Sequence, residues 1–191
     1  MSTKKHKIVL IGDLGSGKTC FALTYNEKKF PSDYIPAVLD AFTEEQIFNK
    51  KEHEFLIVDS LGKTELDRNR WENYHNADIF FLCFSVVDPV SYENVTSKWI
   101  EEIQSHEEDP KYLLVGMKTD LRANETIINS LRQQLLQPIT PEQGMEKARE
   151  IEALDYMECS ALMGAGVQDA FDAGIRFILE PPQEGGCCTI F

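Results

Sequence analysis

Eight consecutive residues, Gly12-Asp13-Leu14-Gly15-Ser16-Gly17-Lys18-Thr19, follow the apolar run Ile8-Val9-Leu10-Ile11 and precede a segment able to form a helix. The order is strand, glycine-rich turn, helix. Phosphate oxygens are held best by backbone N–H groups, and glycines let the chain curl round them while the helix offers its positive end. The backbone of Asp13, Leu14, Gly15, Ser16 and Gly17 then forms the cradle. In that setting Lys18 reaches the β- and γ-phosphates and the Thr19 hydroxyl ligates Mg²⁺. The alternative is an ordinary glycine-rich turn.

The rest of the chain alternates strand and helix signals. The spacing predicts a helix over Thr19 to Asn26, a polar loop from Glu27 to Asp40, and a hairpin of Thr43 to Phe48 with Glu54 to Val58 about Asn49-Lys50-Lys51-Glu52. Asp59 ends the hairpin, and Ser60 to Asn76 reads as a loop with irregular helix. Continuous apolar runs at Ile79 to Phe84 and Tyr112 to Val115 are of the kind that strands buried on both faces show. Asp88-Pro89 opens a helix whose Tyr92, Val95, Trp99 and Ile103 share one face, with Trp99 expected in the core. Thr140-Pro141-Glu142-Gln143 carries a capping box and opens a helix to about Ile151. Tyr156 to Cys159 is the last strand, and Val167, Phe171, Ile175 and Ile178 line a final helix ending before Pro181. The expected fold class is α/β, with right-handed crossovers and ligands outside the carboxyl ends of the strands. The stretch Arg122 to Pro138 is too long for a simple connection. Ile127, Ile128, Leu131 and Leu135 at helical spacing predict an inserted surface helix, either a plain excursion or a partner-binding element.

With 191 residues, one domain is expected. The formal net charge of -13, with no dense basic run, argues against a nucleic-acid partner. Five cysteines, an odd number with three in apparent core elements, fit reduced thiols and a cytosolic setting. The amino terminus lacks the apolar stretch of a secretory signal, and no apolar run reaches the roughly 20 residues needed to cross a bilayer. Membrane association would need an anchor.

A phosphate cradle alone leaves kinases, ATPases and GTPases open. Met117-Lys118-Thr119-Asp120 follows a buried strand, where a loop would reach the base. A carboxylate at Asp120 accepts two hydrogens from guanine N1 and its 2-amino group, a pair that adenine lacks. The backbone of Ser160, Ala161 and Leu162, after the last strand, is placed to meet guanine O6, and Phe30 to cover the base edge-on. Singly, Asp120 reads equally as a helix cap, Ser160 as a turn residue and Phe30 as loop packing.

Together these stretches resemble the Ras superfamily of small GTPases, and specifically its Rho family. The likeness covers nearly the whole chain: Cys20 after Gly17-Lys18-Thr19, Phe30-Pro31, Tyr34-Ile35-Pro36, Asp59 with Gly62, Asp67-Arg68 with Arg70, Cys83-Phe84-Ser85, Lys118 with Asp120-Leu121, and Glu158-Cys159-Ser160-Ala161. The insertion before Thr140 separates Rho proteins from other branches. The resemblance implies a P-loop fold with six strands, one antiparallel, about five helices and the insert helix near 122–138. The domain would span 1–180, followed by a flexible tail, 181–191. It further implies GTP or GDP with Mg²⁺ held by Thr19 and, through water, Asp59, and phosphate contact from Gly62. Effectors would read Tyr34, Val38, Leu39 and Asp40 together with Leu66, Arg68 and Trp71; exchange factors and a guanine-nucleotide dissociation inhibitor are the other expected partners of a monomer, and actin control the usual theme.

Three positions that bear on hydrolysis depart from that pattern. Leu14 and Lys63 stand where cycling Rho proteins have glycine and glutamine, and Ala37 where they have the metal-ligating threonine. The glutamine orients the attacking water, and Lys63 cannot accept a hydrogen bond from it. Leu14 adds bulk where an arginine finger must enter. Met117 replaces an asparagine or threonine, which weakens nucleotide affinity, and Leu162 replaces lysine. The expectation is a GTPase-deficient protein, mainly GTP-bound; a nucleotide-independent scaffold and a slow but conventional switch remain the alternatives. Cys188-Thr189-Ile190-Phe191 matches a geranylgeranylation box, and the acidic approach through Glu180 and Glu184 makes Cys187 the candidate for palmitoylation at the cytoplasmic side of the cell membrane.

Overall fold

The computed structural model describes residues 3–31, 41–60 and 67–181. Strands β1 (Lys4–Ile11), β2 (Phe42–Phe48), β3 (Lys51–Asp59), β4 (Ile79–Ser85), β5 (Tyr112–Met117) and β6 (Tyr156–Cys159) form one sheet in the order β2-β3-β1-β4-β5-β6. Only β2 runs antiparallel to its neighbour. The helices are α1 (Lys18–Glu27), α2 (Asp67–Glu72), α3 (Pro89–Asn94), a π-helical stretch (Val95–Ile100), α4 (Glu101–Gln104), α5 (Glu125–Gln133), α6 (Pro141–Glu150) and α7 (Val167–Leu179). The expected α/β fold with six strands and one antiparallel pair is what the chain forms.

Alternation along β1 explains why both faces are covered. Ile8 and Leu10 point to one side, where Phe21 and Tyr25 of α1 stack on Phe171 of α7 at 4.6 and 3.8 Å between ring centroids. Val9 and Ile11 point to the other, among Tyr92, Trp99, Ile103 and Ala148. Burying an aromatic or aliphatic side chain contributes roughly 1.5–3 kcal/mol, so these two layers carry the fold.

Several boundaries differ from the sequence reading. The hairpin turn is two residues, Asn49 and Lys50, both with positive φ (48° and 62°), so pairing continues to Phe48 with Lys51 and β3 starts earlier than expected. Helix α1 extends one residue past the expected range at each end, and β5 reaches Met117. The helix begun by Asp88, whose carboxylate caps Val90 and Ser91, widens into the π-helical stretch, which apolar periodicity does not reveal. Within the insertion, α5 covers nine residues, and Leu135, expected within the helix, lies beyond it at φ 60° and almost wholly exposed. The capping box at Thr140 forms as read.

At the far end of β1 from the glycine-rich turn, His6 and His53 are buried, stacked, and joined Nε2 to Nδ1 at 3.0 Å. Burial holds the His6 pKa below its usual value, with Lys4 and His53 acting the same way and Asp78 opposing. A histidine that stays neutral in the folded chain binds its proton more readily when unfolded. Its stabilising contribution is therefore present above about pH 6.5 and is lost as pH falls toward the lower folded value. The melting temperature should drop by about 2–4 °C per kcal/mol lost between pH 7 and pH 5. His6→Gln should flatten that slope; an equal slope in the variant contradicts the assignment.

Candidate functional site

Strand β1 delivers the chain to the carboxyl edge of the sheet, where neighbouring strands leave on opposite sides. Gly12 has φ 149°, and a Cβ there would stand 2.0 Å from the Cys83 carbonyl oxygen on β4, so only glycine fits. Gly17, at φ 116°, turns the chain into α1. The loop between them folds back so that Lys18 Nζ donates to the carbonyls of Gly12 and Asp13 at 2.8 and 2.9 Å. Lys18 is buried, which lowers its pKa, while Asp59 and Asp13 favour its charged form. The Ser16 hydroxyl is buried in the same loop and has no hydrogen-bond partner among the described residues.

The parallel register of Leu10 with Asp59 brings the end of β3 beside α1. Thr19 Oγ1 donates to Asp59 Oδ2 at 2.6 Å. Two hard oxygen donors in contact suit a small divalent cation of the Mg²⁺ type. Leu14 projects from the crest of the loop, 55% exposed.

The base end is assembled by three loops. Lys118 adopts φ 61° and reaches across to the Gly15 carbonyl, tying this loop to the glycine-rich turn. Asp120 Oδ1 accepts from Ser160 Oγ at 2.5 Å, and Ser160 Oγ accepts from the Met163 N–H. Thr24 of α1 donates to the Ala161 carbonyl. Gly17, Phe30, Met117, Lys118, Asp120, Ala161 and Leu162 line one cleft of about 210 Å³. That is below the roughly 300–1,000 Å³ of sites for whole drug-sized ligands and suits a flat base. Met117 is buried and lines the same cleft as Gly17, so an apolar side chain stands there in place of a polar one. Of the residues assigned to phosphate and base from sequence, the described ones converge on this edge.

Behind the base loops, Arg122 grips Glu158 through both guanidinium nitrogens (2.8 and 2.5 Å), and Tyr156 donates to the same carboxylate at 2.7 Å. Burial works against the charged Glu158, yet the bonds from Arg122 and Tyr156 outweigh it and hold its carboxyl below the usual range. Sequence reasoning missed this pair. It also missed Asn94, and the polar end of Trp99, both of which contact Asp13. A buried indole N–H needs an acceptor, which was the available signal.

Tyr34, Ala37, Val38, Leu39, Asp40, Gly62, Lys63, Leu66, Cys187 and Cys188 lie outside the described residues, as does the side chain of Arg68. Trp71 stacks on His106 at 4.5 Å but keeps 36% of its surface exposed, so it is packed on one face only. Cys83 and Cys159 are buried free thiols and Cys20 is half-buried; no described helix is long and apolar enough to cross a membrane.

A mostly parallel sheet with a glycine cradle after β1, a buried lysine, and a Thr–Asp pair beside it defines a P-loop nucleotide-binding protein. Residues 7–180 match the family model described as "Ras family", and the chain belongs to that family. Membership makes it a small GTP-binding signalling protein of a fold that generally meets effectors, exchange factors and activating proteins. The residues fit the family's nucleotide. Lys18 and the N–H groups of 13–19 would hold the phosphates, the Ser16 hydroxyl sits in that cradle without a competing partner, and Thr19 with Asp59 would hold Mg²⁺. Bound GTP would supply the γ-phosphate, and the chain would supply the Lys18 charge and backbone donors that neutralise it.

Proposed function

We propose that this chain is an atypical Rho-like GTP-binding protein that hydrolyses GTP poorly, stays mainly GTP-bound, and signals through effectors at a membrane. The observation that carries the reading is Leu14, a branched side chain standing exposed on the loop whose backbone cradles phosphate. An activating protein must bring an arginine to that point, and the contribution of such a finger is roughly 10³ to 10⁵ in rate. Lys63, in place of the water-orienting glutamine, points the same way from the sequence. Lipid anchoring at Cys188, with Cys187 as second site, belongs to the same proposal. The buried, carbonyl-bonded Lys18 and the Thr19–Asp59 pair favour retained nucleotide binding over a scaffold without nucleotide. In a single-turnover assay on GTP-loaded protein, a Rho-activating protein should produce no acceleration. Acceleration at the rate of a cycling Rho protein would overturn the proposal.

A further inference from the structure

Asp13 places a carboxylate inside a loop built to receive an anion. Its own carbonyl oxygen touches the Lys18 ammonium at 2.9 Å, so the side chain starts within a rotamer change of the phosphate cradle. Both carboxylate oxygens are instead engaged by the neighbouring helix. Trp99 Nε1 donates to Oδ1 at 2.8 Å and Asn94 Nδ2 to Oδ2 at 2.7 Å. Asn94 closes α3, and Trp99 lies in the π-helical stretch, where the wider helical register sets the two donors side by side. The indole is itself fixed: it is fully buried, the Arg70 guanidinium lies 5.2 Å from its ring centroid, and Arg70 donates from Nε and Nη2 to the two Glu102 oxygens at 2.7 Å each.

We propose that Asn94 and Trp99 are positioning residues of the phosphate site, holding the Asp13 carboxylate turned away from the cradle so that no anion competes for Lys18. This rests on the nucleotide-binding reading and adds a role to residues outside the motif. Released from its donors, the carboxylate can swing toward Lys18 and repel the β-phosphate across a few ångströms of partly buried space. The Arg70 contact makes the same clamp answerable to α2.

The test is the dissociation rate of a fluorescent GDP analogue from the full chain with Mg²⁺ present, for Asn94→Ala and Trp99→Phe, each alone and combined with Asp13→Asn. Phenylalanine keeps the ring and loses the donor; Asn94 is only half-buried, so its variant keeps the core intact should Trp99→Phe not fold. Each single variant should release nucleotide roughly tenfold faster, the scale of an added like charge near a partly buried site. In the D13N background the same substitutions should change the rate by less than about twofold, because the charge they restrain is gone. D13N alone should slow release. Unchanged rates in both single variants would overturn the proposal, as would an equal acceleration in the D13N background, which marks lost packing. If the unsubstituted chain retains no analogue, the nucleotide-binding reading itself falls.

Discussion

Asp120→Ala should lower the affinity for GDP and GTP by roughly 10²- to 10⁴-fold while leaving the fold intact. Two hydrogen bonds from a guanine edge to an ionised carboxylate contribute about 1.5–3 kcal/mol each, and every 1.4 kcal/mol is tenfold. The carboxylate is held ready to accept them. Ser160 Oγ donates to one of its oxygens, and Ser160 is in turn fixed by its backbone N–H bond to the Ala165 carbonyl. Without Asp120 the Ser160 Oγ still accepts from the Met163 N–H but loses the acceptor for its own hydroxyl, a cost of about 1–3 kcal/mol that lowers stability without unfolding the chain. Titration with a fluorescent guanine nucleotide checks the affinity, with thermal melting as the control for folding. An unchanged affinity would make Asp120 a turn-capping residue only, the ordinary reading that its position in the 3₁₀ turn Thr119–Leu121 also allows.

The second large effect concerns hydrolysis. On the proposed reading, Leu14→Gly with Lys63→Gln should make single-turnover hydrolysis responsive to an activating protein, by roughly 10³- to 10⁵-fold. Glycine clears the crest of the cradle, and glutamine restores an amide that can both accept from and donate to the attacking water. The two changes act on one assembly, so each alone should recover far less than the pair. Substantial recovery from Lys63→Gln alone would show that Leu14 does not obstruct the finger. No recovery from the pair would move the lesion elsewhere, with Ala37, which lacks the threonine hydroxyl, the next position to restore.

The strands are legible in the sequence because each is a local pattern: the apolar run Ile8 to Ile11 in β1, continuous apolar runs in β4 and β5, turn residues between them. The site motifs are legible for the same reason, since glycines at 12, 15 and 17 and the lysine at 18 lie within one short stretch of chain. Contacts between distant residues are not. Spacing alone places Trp99 in the core, and its full burial agrees, but its bond to Asp13 joins residues 86 apart. No periodicity encodes such a pairing. The two-residue turn escapes sequence reading because Lys50 takes a left-handed backbone that a lysine rarely adopts. Spacing also places Leu135 within the inserted surface helix, yet the helix stops at Gln133 and Leu135 lies beyond it at a positive φ, almost wholly exposed. The hidden part of the site is therefore the part that restrains motif residues rather than the motif itself.

The measurement closest to the central claim is the identity of the nucleotide released when freshly purified full-length protein is denatured. A chain that binds guanine nucleotide through the Lys18 cradle and the Asp120 cleft, and hydrolyses it poorly because of Leu14 and Lys63, should release mostly GTP. Mostly GDP would contradict the account, because it requires hydrolysis to outrun exchange in a protein whose hydrolytic residues are replaced.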